Sequence, residues 1–216
     1  MSARVAGLAL AGILVARPLA AQGPRFVDVE ADLSRARFRS AVPGGGEALS
    51  GLVLGVRART AFRAVSLEAS YAQGRLSAGE GSGPSRSVVD GSLFVSTLPV
   101  PWLTLKAGPQ LRAYVAPGGT ERWVMWEFRA RAETPIASPA LALRAHVEVW
   151  ATLASSVNAD PGAAGARGGQ AGMVMGLPRS PLWVRLSYAV DQVKMKDNAR
   201  TEALEAVVLT IGLGGR

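Results

Sequence analysis

Apolar and polar side chains alternate with a period of two along most of the chain. In LRAHVEVWATL, residues 143–153, the odd positions are apolar, and Arg144, His146 and Glu148 lie between them. This is the period of a β-strand whose two faces differ in polarity. Ten segments carry the pattern, each about as long as a strand tilted across a bilayer. No helical period competes with them, so the sequence predicts an all-β chain.

The links between these segments alternate in length. Every second link is short and often contains proline, as in TAFR, LPVP, TPIASP and PRSP. The others are mostly longer and rich in glycine or polar residues, as in RSAVPGGGEA and SSVNADPGAAGARGGQ. Short periplasmic turns and longer extracellular loops are typical of outer-membrane barrels. We predict a single up-and-down antiparallel transmembrane β-barrel of ten strands. An eight-stranded barrel is the alternative, in which the weakest segment, 168–177, becomes part of a loop.

The N-terminus has the features of a secretory signal peptide. Arg4 precedes the apolar run VAGLALAGILVA, and PLAAQ then supplies small residues for cleavage. We expect a signal peptide at 1–21 and the barrel at 22–216. That run is too short for a membrane-spanning helix, and no other run in the 216 residues is longer and equally apolar. The chain has no cysteine, which excludes disulfides and thiolate metal sites.

In a membrane barrel the apolar face contacts lipid and the polar face lines the lumen. The first hairpin predicts that Asp28 lies opposite Arg59 and that Glu30 lies opposite Arg57, as ion pairs near the periplasmic end. Acidic and basic residues on the polar faces are close to balanced, which favours a salt-bridged lumen over a soluble, lipocalin-like barrel with its apolar face inside. The charged residues predicted to face the lumen are Asp28, Glu30, Arg57, Arg59, Glu68, Asp90, Lys106, Arg112, Glu127, Arg129, Arg131, Arg144, His146, Glu148, Arg185 and Asp191.

The outward faces carry three further features. Arg35 and Arg37 interrupt the apolar face at the loop end of the first strand, where they are candidates for contact with lipopolysaccharide phosphates or simply with water. Pro109 lies inside a strand and predicts a bulge. The aromatic residues predicted to face outward are Tyr71, Trp102, Trp126, Phe128 and Tyr188.

The chain resembles small bacterial outer-membrane β-barrel proteins, such as OmpX-like, OmpA-like and short porin-family barrels. The resemblance covers 25–216 and is architectural: a signal peptide, alternating strands, and turns that differ from loops. It implies the outer membrane as location, lipid and lipopolysaccharide as surroundings, insertion by the barrel-insertion machinery, and small solutes as candidate ligands. Members of the class usually end in an aromatic residue, whereas this chain ends in TIGLGGR.

His146 is the only histidine and therefore the first candidate for catalysis. Lipid-modifying and proteolytic outer-membrane barrels use a histidine with a serine or acidic partner near the outer rim. Here His146 lies in the middle of a strand, with no serine two residues later and no Asp-x-His pattern. A hydrogen-bonded lumen histidine is the better interpretation, and a lipid-modifying enzyme is the weaker one.

Other chemistry has no signal in the sequence. There is no GxxxxGK[ST] motif and no metal-ligand spacing, and the arginines are scattered among acids instead of forming a nucleic-acid-binding stripe. We therefore expect no catalytic residue, no cofactor, no metal and no nucleic acid. The predicted function is a structural or surface-interaction barrel, with 155–170 as the candidate interaction loop, or a narrow channel for small solutes. A soluble periplasmic ligand-binding barrel is the alternative.

Overall fold

The structure, a computed structural model, describes residues 27–42, 45–62, 65–78, 84–136, 142–158, 163–177, 179–196 and 200–214. Ten antiparallel strands close into one barrel in which neighbours in sequence pair and β1 pairs with β10. The strands are β1 Val27–Val42, β2 Gly45–Phe62, β3 Val65–Ser77, β4 Ser85–Val100, β5 Leu103–Ala116, β6 Gly119–Pro135, β7 Ala142–Val157, β8 Ala163–Gly176, β9 Leu182–Met195 and β10 Thr201–Leu213. The predicted ten-stranded fold is confirmed. The signal peptide predicted at 1–21 lies outside the described residues.

The register of the first hairpin follows the charge pattern. The register places Asp28 opposite Arg59 and Glu30 opposite Arg57, as the sequence predicts. Glu30 and Arg57 also form an ion pair at 2.9 Å, whereas Arg59 Nη2 donates a hydrogen bond to Ser66 Oγ at 3.2 Å. Opposite charges directly across a ladder attract each other, and a slip of one residue would move every side chain to the other face. The weakest predicted strand is present as β8, so the eight-stranded alternative is wrong.

The connections differ less in length than the sequence predicts. The turn end of the barrel carries 63–64, 101–102, 136–141 and 177–181, and the loop end carries 43–44, 78–84, 117–118, 158–162 and 196–200. The expectation of systematically longer loops is wrong, because segments such as 155–170 are mostly strand. Their glycines and small polar residues still form the backbone hydrogen bonds of a hairpin, which require no apolar side chain.

The outer wall is apolar and the buried interior holds charge. Leu54 is 61% exposed and Val149 is 56% exposed, whereas Glu127 and Glu148 are 0% and 2% exposed. A soluble barrel would have the reverse arrangement over these positions. Among the described residues no helix is long and apolar enough to cross a membrane.

Pro109 does not produce the bulge that the sequence predicts. Pairing of β5 with β4 is interrupted between Ser92 and Val95 and then resumes in the same register. Pro109 still pairs with Trp126 on the other side. Pro109 lies where this pairing is interrupted, so its missing N–H leaves no ladder hydrogen bond unmade. No extra residue is therefore needed. The register shifts in that ladder only between Thr97 and Val100.

Candidate functional site in the lumen and on the outer wall

Every charged side chain predicted for the lumen is buried or half-buried in the structure. The buried ones are Glu68, Lys106, Arg112, Glu127, Arg131, His146, Glu148, Arg185 and Asp191. The half-buried ones are Asp28, Glu30, Arg57, Arg59, Asp90, Arg129 and Arg144. They come from every strand except β8 and β10, and they point inward because the period of two directs alternate side chains of a strand to the same face.

Ion pairs near the turn end connect strands that are far apart in sequence. Glu30 Oε2 on β1 accepts hydrogen bonds from Arg57 Nη1 on β2 at 2.9 Å and from Arg185 Nη2 on β9 at 2.8 Å. Arg57 Nε also lies 3.6 Å from Glu68 Oε1 on β3. The Glu30 carboxylate therefore links β1 to β2 on one side and, past β10, to β9 on the other.

A second group of ion pairs crosses the lumen near the turn end. Lys106 Nζ on β5 donates to Glu68 Oε2 on β3 at 3.0 Å and lies 4.0 Å from Glu148 Oε1 on β7. Arg129 Nη1 on β6 lies 3.7 Å from the same Glu148 oxygen. Buried pairs of this kind add little net stability, but removing one partner is costly because a buried charge is left uncompensated. The network therefore specifies which side chains fill the lumen.

His146 has a serine partner that sequence spacing does not reveal. Its Nε2 lies 3.3 Å from Ser187 Oγ on β9, and both side chains are buried. Among the described residues, Nδ1 has no hydrogen-bond partner. A serine nucleophile normally needs a base whose ring is held by a third group. The pair has the geometry of a structural hydrogen bond and lacks that third group.

The middle of the lumen is organised around Arg112. Its Nε donates to Asp90 Oδ2 at 2.8 Å, and its Nη1 donates to Asp191 Oδ2 at 2.5 Å. Gln110 Nε2 donates to Asp90 at 3.0 Å, and Trp150 Nε1 donates to Asp191 Oδ1 at 3.2 Å. Arg112 thus holds β4 and β9 together across the barrel.

A cavity of about 220 Å³ adjoins this cluster. On its wall the Arg129 guanidinium lies 4.7 Å from the Phe94 ring centre and 4.9 Å from the Trp150 ring centre. The same guanidinium pairs with Glu127 Oε2 at 2.7 Å. A water molecule occupies about 30 Å³ in the liquid, so the cavity has room for a few waters. No group of three or more metal-ligating side chains forms within the described part of the chain.

Towards the loop end, the buried side chains are mostly apolar. Phe38, Leu76 and Met125 are 0% exposed, and Trp123 is 1% exposed. The rings of Phe38 and Tyr114 lie 5.0 Å apart with a tilted geometry. We call this cluster the apolar plug; its buried members are Ala36, Phe38, Leu49, Leu76, Val88, Tyr114, Trp123, Met125, Ala166, Val193 and Met195. This apolar plug is not part of the polar lumen that the sequence predicts.

Charged side chains cap the apolar plug. Arg86 forms an ion pair with Glu47. Arg200 forms an ion pair with Glu121 and also lies with its Nε 3.0 Å from Glu202 Oε1. These contacts join β2 to β4 and β6 to β10. At the loop end, an apolar layer is therefore covered by ion pairs.

The sequence does contain a signal for the apolar plug. Near the loop end the two faces of several strands exchange polarity, so that polar residues point outward and apolar residues point inward. In RARFR, the outward positions are Arg35, Arg37 and Arg39, while Ala36 and Phe38 point inward and are buried. TERWVM on β6 and QVKM on β9 show the same inversion. The alternation continues, but the polar face is now outside, as expected where the wall leaves lipid and meets head groups and water.

The predicted outward aromatic residues lie on the outer surface, with exposed fractions between 41% and 58%. These residues are Tyr71, Trp102, Trp126, Phe128 and Tyr188. Arg35 and Arg37 are also exposed on the outer surface. The exposed wall therefore combines an apolar band, aromatic side chains and basic side chains towards the loop end.

Comparison with known proteins identifies the fold and no closer relationship. No protein-family model and no curated protein sequence matches the chain. The β domain of the Bordetella autotransporter BrkA is similar in structure, with a TM-score of 0.53 and 12% identity over 86% of this chain and 98% of that one. Neisserial surface protein A has a TM-score of 0.40 and 10% identity over 87% of this chain and 96% of that one. Ail, the attachment invasion locus protein of Yersinia pestis, has a TM-score of 0.37 and 12% identity over 87% of this chain and 98% of that one. The predicted resemblance to outer-membrane β-barrels is confirmed at the level of the fold.

Proposed function

We propose that the chain is a sealed, non-enzymatic β-barrel of the bacterial outer membrane with a structural or surface-interaction role. The apolar plug is the single observation that carries this proposal. A solute path needs continuous polar or open space, whereas Phe38, Trp123 and Met125 fill the lumen below a layer of ion pairs. The 220 Å³ cavity lies on the other side of the plug from that cap.

The membrane location is supported by the outer wall. Exposed leucine, valine and isoleucine side chains cover it, and a continuous apolar surface of this size is unstable in water. A closed barrel also satisfies the hydrogen bonds of every strand edge, which the bilayer interior requires. A protein in this location would need a secretory signal and the barrel-insertion machinery, consistent with the N-terminal pattern at 1–21.

Two alternatives are less well supported. A narrow channel requires the plug to move, and no described segment inside the lumen is separate from the wall. An enzyme requires more than the Ser187–His146 contact, because no carboxylate of the described residues accepts a hydrogen bond from His146 Nδ1. A serine-directed fluorophosphonate should therefore leave Ser187 unlabelled, as read by mass spectrometry of the folded protein, with the SDS-denatured protein as background. Labelling of Ser187 that His146→Ala abolishes would contradict the non-enzymatic assignment.

The location is tested by fractionation and gel mobility. We expect the protein in isolated outer membranes and a change of mobility in SDS on boiling, because paired strand edges resist the detergent until heated. Recovery in the soluble periplasm without a mobility change would overturn the membrane assignment.

The seal is tested by conductance in planar bilayers. The wild-type barrel should show no discrete conductance steps. Phe38→Ala combined with Trp123→Ala removes two rings from the apolar plug and should produce steps. Steps of equal size in both proteins would mean that the plug does not close the lumen.

A further inference from the structure

On the described strands, charge on the outer wall is confined to the loop end. Among the described strand residues, the outward-facing bases are Arg35, Arg37, Arg39, Arg75, Arg122, Arg167 and Lys194, and all lie in the loop-side half of their strands. In the same part of the described wall, Glu205 is the outward-facing acid. The described outward positions in the turn-side halves carry no charge. This basic belt follows the apolar band directly, at the level where lipid head groups begin.

Within the basic belt, three bases lie together on adjacent strands. Leu52 on β2 pairs with Arg35 on β1 and with Arg75 on β3, so the two arginines lie on either side of one leucine. Arg37 follows two residues after Arg35 on the same face. Arg39 differs, because its Nη2 lies 3.1 Å from Glu205 Oε2 and its charge is compensated. In the described chain Arg35, Arg37 and Arg75 form no ion pair within 4 Å, although Glu205 lies across the ladder from Arg37. Arg75 Nη2 donates a hydrogen bond to Ser85 Oγ at 3.1 Å.

Two grooves adjoin these bases, one above the other on the wall. The upper groove, of about 480 Å³, is lined by Arg35 and Arg37 together with Ser50, Tyr188 and Glu205, whose carboxylate is paired with Arg39. The lower groove, of about 450 Å³, is lined by Arg75 together with apolar side chains, among them Leu33, Leu52 and Leu54. Basic and polar atoms thus lie towards the loop end and an apolar channel continues towards the bilayer centre. This is the arrangement of a lipid, with its head group above its acyl chain.

We propose that Arg35, Arg37 and Arg75 bind the phosphate groups of a phosphorylated lipid in the outer leaflet, while one of its acyl chains lies along Leu33, Leu52 and Leu54. This inference rests on the proposed membrane location and adds a specific ligand class to it. Arginine suits the role because its planar guanidinium donates two hydrogen bonds to one phosphate. Water alone would solvate these bases equally well, but it would not require the apolar groove beside them.

The experiment compares two variants with the same change in charge. Arg35→Gln/Arg37→Gln/Arg75→Gln alters the three clustered bases, and Arg122→Gln/Arg167→Gln/Lys194→Gln alters three bases elsewhere in the basic belt. Each full-length mature barrel is placed in phosphatidylcholine bilayers containing a bisphosphorylated glucosamine lipid, its dephosphorylated form, or phosphatidylglycerol. Affinity is measured by fluorescence titration, and retained lipid is identified by native mass spectrometry.

We expect the wild-type protein to retain the bisphosphorylated lipid. The clustered variant should bind it about a hundredfold more weakly, since each of the three bases near a charged membrane surface contributes roughly fivefold. The distributed variant should stay within about threefold of the wild type. Equal weakening of both variants, or equal retention of the dephosphorylated lipid, would overturn the proposal. Competition by millimolar inorganic phosphate without any dependence on acyl chains would also overturn it, because the site would then be a phosphate site.

Failure of the membrane assignment is recognised separately. Each protein is first tested for insertion by its change of gel mobility on boiling. A barrel that inserts but shows no lipid preference contradicts only the lipid site. A barrel that does not insert in any bilayer contradicts the proposed function itself.

Discussion

Replacing Phe38 by alanine tests whether the apolar plug is packed like a protein core. Phe38 is 0% exposed, lies 5.0 Å from the Tyr114 ring and has the Arg86 guanidinium 5.4 Å from its ring centre. The matched control is Phe128→Ala, which removes the same group from the outer wall, where Phe128 is 41% exposed. The two substitutions are identical in chemistry and differ only in what surrounds the lost ring.

The expected magnitudes follow from that difference. Both substitutions lose the transfer of a phenyl ring from water, worth about 1.5–3 kcal/mol. At Phe128, lipid chains fill the vacated space, so no stability is lost beyond this transfer free energy. At Phe38, packed neighbours cannot refill it, and the additional cavity raises the total to about 3–5 kcal/mol. Phe38→Ala should therefore reduce the free energy of unfolding by about 1–2 kcal/mol more than Phe128→Ala.

The assay is equilibrium unfolding by guanidinium in phospholipid vesicles, followed by tryptophan fluorescence and by gel mobility of unboiled samples. The slope of the transition should be the same for both variants, so that the difference in midpoint reports stability alone. Phe38→Ala that costs no more than Phe128→Ala would refute the packed plug, because it would mean that water or lipid already occupies the lumen there.

Two further predictions concern the interior and use the same assay. Lys106→Met leaves the Glu68 carboxylate buried without its nearest cation, so it should lower the free energy of unfolding by about 3–5 kcal/mol. The double variant Lys106→Met/Glu68→Gln should recover part of this loss. Arg39→Met, which breaks an exposed ion pair, is the control and should lower the free energy of unfolding by less than about 1 kcal/mol. A loss at Lys106→Met as small as that at Arg39→Met would show that water screens the lumen pairs. Gly168→Ala would place a Cβ 2.4 Å from both the Trp150 ring and the Val190 backbone oxygen. It should displace the ring, strain the pairing of β8 with β9 and lower the free energy of unfolding by about 1–3 kcal/mol. An unchanged tryptophan spectrum and midpoint would contradict the contact.

Much of the fold was predictable because its signals are local. Alternation assigns each strand and its faces, and the register of the first hairpin follows from Asp28 and Glu30 facing Arg59 and Arg57. The presence of β8 was the least certain element, because GARGGQAG supplies few side chains to show an alternation. Its partners β7 and β9 define its place through backbone hydrogen bonds, which the sequence does not display.

The interior near the loop end was not predicted, for a physical reason. The rule that apolar faces point to lipid holds only where there is lipid. Beyond the apolar band the wall meets head groups and water, so the inward side of β1 changes from Asp28 and Glu30 to Ala36 and Phe38. The sequence also predicts loops that are too long, because glycine-rich segments have a loop-like composition although paired strands extend through them. The Ser187–His146 contact joins strands 41 residues apart and has no local signal.

The apolar faces of the strands should contact lipid, and spin labelling of one strand tests this directly. The chain has no cysteine, so single cysteines can be introduced at each position of 143–151 on β7 and labelled with a nitroxide. The barrel is placed in bilayers, and collision with oxygen, which concentrates in lipid, is compared with collision with a water-soluble nickel chelate. Oxygen accessibility should alternate with a period of two and be highest, with little nickel accessibility, at the odd positions Leu143, Ala145, Val147, Val149 and Ala151. Higher nickel than oxygen accessibility at these odd positions would contradict contact with lipid.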